Sequence, residues 1–177
     1  MNVAAIVVRW LAKRGITHAF LVQGAANNDL IYAIADCPGS QYVSTMHEQA
    51  AGFAAEGWAK VKGLPGLAIA TSGPGGQNLI TPIANCYYDS VPCIFITGQV
   101  MTKFQRPAHG PGSALRQVGF QEWPIVDVVK PITKWAVMLR DPAAAVDVVR
   151  MAYDIALAGR PGPVVLDIPI DVQRTKL

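Results

Sequence analysis

Charge is scarce in this chain. Asp, Glu, Lys and Arg make up 15% of its 177 residues, where an average soluble chain carries about 25%. Hydrophobic residues make up 51%, so a disordered or low-complexity protein is excluded. A chain this apolar is expected to lay part of its surface against another subunit or domain. Charge of one sign is missing as well. The 15 basic and 12 acidic residues leave a net charge of +3 and no basic block, which argues against a nucleic-acid partner.

Cysteine is sparse. Cys37, Cys86 and Cys93 match no CxxC or zinc-ligand spacing, and they read as reduced packing residues of a cytoplasmic protein. His18, His47 and His109 form no HxxxH pair, so no metal is expected in this chain. Long hydrophobic runs are lacking too. The longest uncharged stretch, Leu64 to Tyr88, is broken by Pro65, Pro74, Pro82 and four glycines, so it does not read as a membrane span. There is no internal repeat and no linker. At about 150 residues per domain, residues 1–177 are expected to form one domain.

What is present is an alternation. Val3, Ile6, Val7, Trp10 and Leu11 recur at helical spacing, which predicts a first helix ending near Gly15. Short apolar runs follow at 18–22, 42–45, 67–70, 93–97, 135–139 and 164–168. Helical segments are predicted between them, at 27–35, 48–62, 77–88, 124–129 and 142–158. Asn27 suits the cap of the second helix. Strands without polar alternation, separated by helices, predict an α/β fold: a three-layer open parallel sheet with helices on both faces. Ligands of such sheets gather at the carboxyl ends of the strands. Two loops fit that place, Gln23-Gly24-Ala25-Ala26 and Thr71 to Gly76.

Glu48 follows a short strand and opens a helix, in His47-Glu48-Gln49-Ala50-Ala51-Gly52. A carboxylate there is ordinarily a partner of the helix dipole. Its neighbours are small and apolar, however, and a carboxyl group in an apolar site can share a proton with a ring nitrogen. The loop Thr71-Ser72-Gly73-Pro74-Gly75-Gly76 lacks the Lys-Ser/Thr of a phosphate loop and is not GxGxxG. Close backbone approach to a flat ligand or a neighbouring chain accounts better for its glycines. Ser72 has no GxSxG setting. His109 lies in the Gly- and Pro-rich segment 101–118. It reads as either a solvated side chain or a substrate contact.

Taken together, these motifs resemble the N-terminal, pyrimidine-binding (PYR) domain of thiamine-diphosphate enzymes, and among them the acetolactate synthase group. The resemblance is carried in order by His47 to Ala51, Ala70 to Gly75, Asn78, Asp89 to Pro92, Thr97 to Val100, Phe120-Gln121-Glu122, Thr133-Lys134, Gly159 to Pro163 and Asp167-Ile168-Pro169. It implies that Glu48 is the catalytic glutamate that bonds N1′ of the cofactor's aminopyrimidine and favours its imino tautomer. It implies cofactor contacts at Gly73, Pro74, Gly75, Asn78 and Gly24, and substrate contacts at Gln23, Phe120, Gln121 and His109. The cofactor is thiamine diphosphate, of which this chain would hold the pyrimidine end. Mg²⁺ is expected in a partner domain, which can also hold FAD.

Three departures bear on specificity. The family's glycine-proline-glycine-glycine after the first strand is here Gln23-Gly24-Ala25-Ala26. The segment between Val100 and Phe120 is longer than usual, and its end looks like relatives that transfer an acetyl unit to a keto-sugar. The lysine of the family's Asp-Ile-Pro-Lys-Asp is here Ile170. The family's middle and diphosphate-binding domains are not in this sequence. The chain is therefore expected to work as half a site, in a homodimer or hetero-oligomer with a diphosphate-binding partner. The leading expectation is a component that decarboxylates pyruvate or a similar 2-keto acid and ligates the acyl unit to a second carbonyl. A simple decarboxylase component, acetyl transfer to a keto-sugar and a non-catalytic assembly domain are the alternatives.

Overall fold

The computed structural model describes residues 1–107 and 114–177. Six parallel strands form one sheet: β1 (His18–Leu21), β2 (Gln41–Ser44), β3 (Gly66–Ala70), β4 (Cys93–Gln99), β5 (Trp135–Met138) and β6 (Pro163–Pro169), in the order β2-β1-β3-β4-β6-β5. The helices are α1 (Val3–Ala12), α2 (Asn28–Ala35), α3 (Glu48–Lys62), α4 (Pro74–Asn78), α5 (Ile80–Asp89), α6 (Ile125–Val129), α7 (Ala145–Leu157) and α8 (Ile170–Arg174).

Alternate residues of the central strands feed two cores, because strand side chains point to opposite faces. Leu67, Ile69, Ile94, Ile96, Val164 and Leu166 pack on one face with α1, α2 and α7. Ala68, Ala70, Phe95 and Val165 pack on the other with α3, α5 and α6. Strands β3, β4 and β6 are buried along their whole length, as their continuous apolar runs require. The expected three-layer α/β sheet is therefore present. Strand β2 differs: it is an edge strand, exposed throughout.

Helix boundaries follow local chemistry. Asn2 caps α1 by accepting a hydrogen bond from Ala5 N at 2.9 Å. Gly63, at φ 67°, ends α3 in the left-handed conformation that glycine adopts without strain. Two details differ from the sequence expectation. The helix expected at 77–88 is two helices meeting at Leu79, because Pro74 begins a turn of helix early; proline suits a first helical position, where no N–H is needed. Asn27 stands just before α2, but its side chain does not cap it. Instead its Oδ1 accepts from Gly24 N at 2.8 Å and its Nδ2 donates to Val22 O at 2.9 Å, bracing the loop behind it.

The strand order reverses between β1 and β3, since the chain runs outward to β2 and then back to β3. Open α/β sheets bind ligands in the crevice at such a switch. The two expected loops, 23–26 and 71–76, lie there, at the carboxyl ends of β1 and β3. They touch: Ala26 N donates to Thr71 Oγ1 at 3.1 Å.

Candidate active site

Glu48 owes its position to a sharp start of α3. After β2 the chain stays extended through His47, at φ −158° and ψ 143°. The His47 ring caps the helix, with Nδ1 accepting from Gln49 N at 3.1 Å. Thr45 Oγ1 donates to His47 O at 2.9 Å and fixes the corner. Glu48 is the next residue and is 9% exposed. Asn78, at the end of α4, donates from Nδ2 to Glu48 Oε2 at 2.8 Å. The other oxygen, Oε1, accepts no hydrogen bond from the described residues.

Gly75 puts no side chain beside Oε1. A Cβ on Gly75 would stand 3.3 Å from Glu48 Oε1 and 2.9 Å from Thr71 Cγ2. A Cβ on Gly24 would stand 2.5 Å from Thr71 Cβ. Glu48, Asn78, Gly75, Thr71 and Gly24 are therefore one cluster, assembled from α3, α4 and the ends of β1 and β3. Gly73 sits at φ 59° and brings a second segment in. A Cβ there would meet Gln121 O at 2.7 Å, so Gln121 rides directly on the glycine loop. Gln121 is itself held at φ 61°, unusual for a residue with a side chain.

Other expected site residues are placed more loosely. Pro74 is exposed at the start of α4. Gln23 is exposed and turns its amide toward Asn28 Oδ1, at 3.1 Å. Phe120 is 84% exposed, beside Gln121. Neither Gln23 nor Phe120 is anchored to the Glu48 cluster. His109 lies outside the described residues. Among the described residues no three His, Cys, Asp or Glu side chains are grouped to hold a metal ion, and no helix is long and apolar enough to cross a membrane. The three cysteines are free and buried. Hydrogen bonding with Cys93, and then burial, push the Cys86 thiol up, which keeps it protonated and inert.

Two supports were not read as such from the sequence. Thr71 receives Ala26 N and fills the space that Gly24 and Gly75 leave. Gln173 of α8 is fully buried and donates from Nε2 to Ala26 O at 2.8 Å and to Ile168 O at 2.7 Å. Gly98 completes this clamp, because a Cβ there would stand 2.0 Å from Ala26 O. Thr71 could have been noticed as the polar residue ending an apolar strand. Gln173 gives no local signal.

Residues 1–128 match the family model described as "Thiamine pyrophosphate enzyme, N-terminal TPP binding domain". Over 169 residues, 96% of this chain, the sequence is 40% identical to "Acetolactate synthase 2, chloroplastic" of Nicotiana tabacum, covering 24% of that protein. It is 39% identical over 170 residues to "Acetolactate synthase" of Arthrospira platensis, with 94% of this chain and 28% of the relative covered. It is 38% identical over 167 residues to "Acetolactate synthase, mitochondrial" of Schizosaccharomyces pombe, with 94% and 24% covered. The chain thus spans about a quarter of the length of the curated relatives it matches. The family match covers the Glu48 helix, the glycine loop and Gln121, and the chain belongs to the thiamine pyrophosphate enzymes, as their N-terminal TPP binding domain.

Proposed function

We propose that this chain is the pyrimidine-binding half of a thiamine-diphosphate-dependent carboligase. In this reading the enzyme decarboxylates pyruvate or a similar 2-keto acid and joins the acyl unit to a second carbonyl compound, as the relatives' name, acetolactate synthase, suggests. The observation that carries it is the Glu48 carboxylate. One oxygen is fixed by Asn78, and the other accepts no hydrogen bond from the described residues and lies beside Gly75.

The residues fit an aminopyrimidine. Asn78 holds Oε2, so the carboxylate cannot turn away, and Oε1 faces the space where a ring nitrogen would lie. There Glu48 holds or releases one proton at N1′. Gly24, Gly73, Pro74 and Gly75 are assigned to the ring's surroundings; Gly24 and Gly73 let Thr71 and Gln121 pack close, and Gly75 puts no side chain beside Oε1. Burial of Glu48 excludes water from this contact and strengthens it. Gln121, Phe120 and Gln23 are assigned to the substrate side, and His109, outside the described residues, is assigned with them on the resemblance alone. When bound, the cofactor's thiazolium supplies the electron sink for loss of CO₂. A single positioned acid–base group of this kind contributes roughly 10²–10⁴-fold in rate.

The domain reading is residues 1–177 as one pyrimidine-binding unit. The diphosphate end of the cofactor, its Mg²⁺ and any FAD are assigned to a partner domain or subunit. Near Glu48 in the chain, Tyr42, Val43, Met46 and Phe53 each expose a large apolar side chain. Exposed apolar side chains of this kind suit an interface, in keeping with an oligomer closing over the site. The buried free cysteines suit a reducing compartment such as the cytosol.

The test is reconstitution of the chain with a diphosphate-binding partner, in the presence of thiamine diphosphate, Mg²⁺ and pyruvate. CO₂ release with a new carbon–carbon bond is expected only with both components. CO₂ release without a new bond would leave simple decarboxylation. No turnover by an assembled complex would overturn the proposal.

A further inference from the structure

The carboxyl ends of β4 and β5 border an open cavity of about 530 Å³ that Glu48 does not line. Gln99 and Met138 come from the strand ends, and Trp123 forms an apolar wall. Three arginines, Arg106, Arg116 and Arg140, stand around it. We propose that this cavity binds a phosphate-bearing small molecule, with its phosphate groups held between Arg106, Arg116 and Arg140. The inference goes beyond the thiamine-diphosphate reading and does not depend on it.

The arginines are placed there by built contacts. Glu122 accepts from Arg106 N at 2.5 Å on Oε1, and from Val118 N at 2.9 Å and Gly119 N at 3.4 Å on Oε2. It thereby ties together the two limbs that carry Arg106 and Arg116. Arg106 Nη1 donates to Leu115 O at 3.2 Å, and Arg140 Nη1 donates to Gln105 Oε1 at 3.0 Å. Each of these bonds uses one donor of a five-donor group.

Charge makes the case. None of the three guanidiniums forms an ion pair with a described carboxylate, whereas Arg150 is paired with Asp147 and Arg174 with Asp29. The two lining acids compensate only in part. Asp127 is paired with Lys130 at 2.6 Å, and Glu122, held by backbone N–H groups, offsets one of the three arginines, so the lining stays net positive. The net positive lining of this open hollow attracts a multivalent anion. Guanidinium forks match phosphate oxygens in pairs. A single carboxylate would use one of the three, so the arrangement favours phosphate. The volume lies within the range of small-molecule sites, about 300–1,000 Å³, and the Trp123 wall leaves room for an organic portion.

The test is calorimetric titration of the 177-residue chain with inorganic pyrophosphate, repeated with acetate at equal ionic strength. Saturable one-to-one binding of pyrophosphate is expected. Arg116→Gln and Arg140→Gln should each weaken it at least tenfold, and Arg150→Gln, outside the cavity, should leave it unchanged. Thermal melts confirm that each variant folds, and Arg116→Gln decides the matter if Arg140→Gln does not. Absence of saturable binding would overturn the proposal. So would an equal loss in Arg150→Gln, which means general surface charge, or equal competition by acetate, which means a carboxylate site. None of these results bears on Glu48.

Discussion

Glu48 and Asp167 are both buried carboxyl groups, and their hydrogen-bond partners set them apart. Asp167 sits in the middle of the sheet and is wholly buried. Both of its oxygens are satisfied, Oδ1 by Thr97 Oγ1 at 2.7 Å and Oδ2 by Gln99 Nε2 at 3.0 Å. Burial pushes its pKa up to about 7, against the pull of those two donors. Glu48 has one oxygen held and one open, at the start of α3 and beside Gly75. A raised pKa in a cleft is a common mark of a functional carboxyl. Here the group whose pKa is raised is sealed among its donors, and the group with a free oxygen lies near the carboxyl ends of the strands. What separates them is whether a partner is missing, and burial alone does not.

The largest break in this comparison should come from Asp167→Ala. It leaves the Thr97 and Gln99 donors buried without an acceptor, at a cost of about 1–3 kcal/mol each. Thermal unfolding should show a fall of roughly 2–4 °C for each kcal/mol. A melt within a degree of the parent would mean that water or rotation rescues both donors.

The second effect is pH dependence. Between the ordinary aspartate value of 3.8 and its folded value of about 7, Asp167 keeps a proton in the folded state that the unfolded chain releases. Folding then takes up protons, so its contribution is fully present below pH 4 and is lost as pH rises toward 7. The slope is at most about 1.4 kcal/mol per pH unit. Denaturant midpoints from pH 4 to 7 should fall in the parent and stay flatter in Asp167→Asn. Equal slopes would contradict the assignment.

A smaller effect is expected at Asn78. Asn78→Ala removes the bond that fixes Glu48 Oε2, worth about 1 kcal/mol of stability. In the complete enzyme it should lower kcat by roughly tenfold, because Glu48 is left free to turn. An unchanged kcat would mean that the helix start alone positions the carboxylate. The smallest effect is on the stability of Glu48→Gln. The amide oxygen can still accept from Asn78, so the melt should match the parent within about 0.5 kcal/mol.

Most of the architecture was legible because it is local. Six apolar runs marked the strands, and Glu48 opens α3 where the pattern changes from strand to helix. The glycines of 73–76 signalled close approach. What was not legible is non-local or short. Nothing near Gly73 in sequence announces that Gln121 will lie on it. Helix α8 has five residues, too few to show a period, and its Gln173 reaches Ala26 across 147 positions. Asp167 was visible as the one acid in an apolar strand, but its partners on β4 depend on the register that pairs Thr97 with Asp167. Asn27 was placed at the right corner with the wrong partner, since a loop N–H competes for the same oxygen as a helix N–H.

The most direct test of the central claim is deuterium exchange at thiazolium C2 of thiamine diphosphate, followed by proton NMR. It compares the complete enzyme containing this chain with its Glu48→Gln variant. The open Oε1 of Glu48 predicts exchange slowed on the order of 10²–10⁴-fold in the variant, with the melt unchanged. Exchange at the parental rate in a folded, cofactor-loaded variant would contradict it.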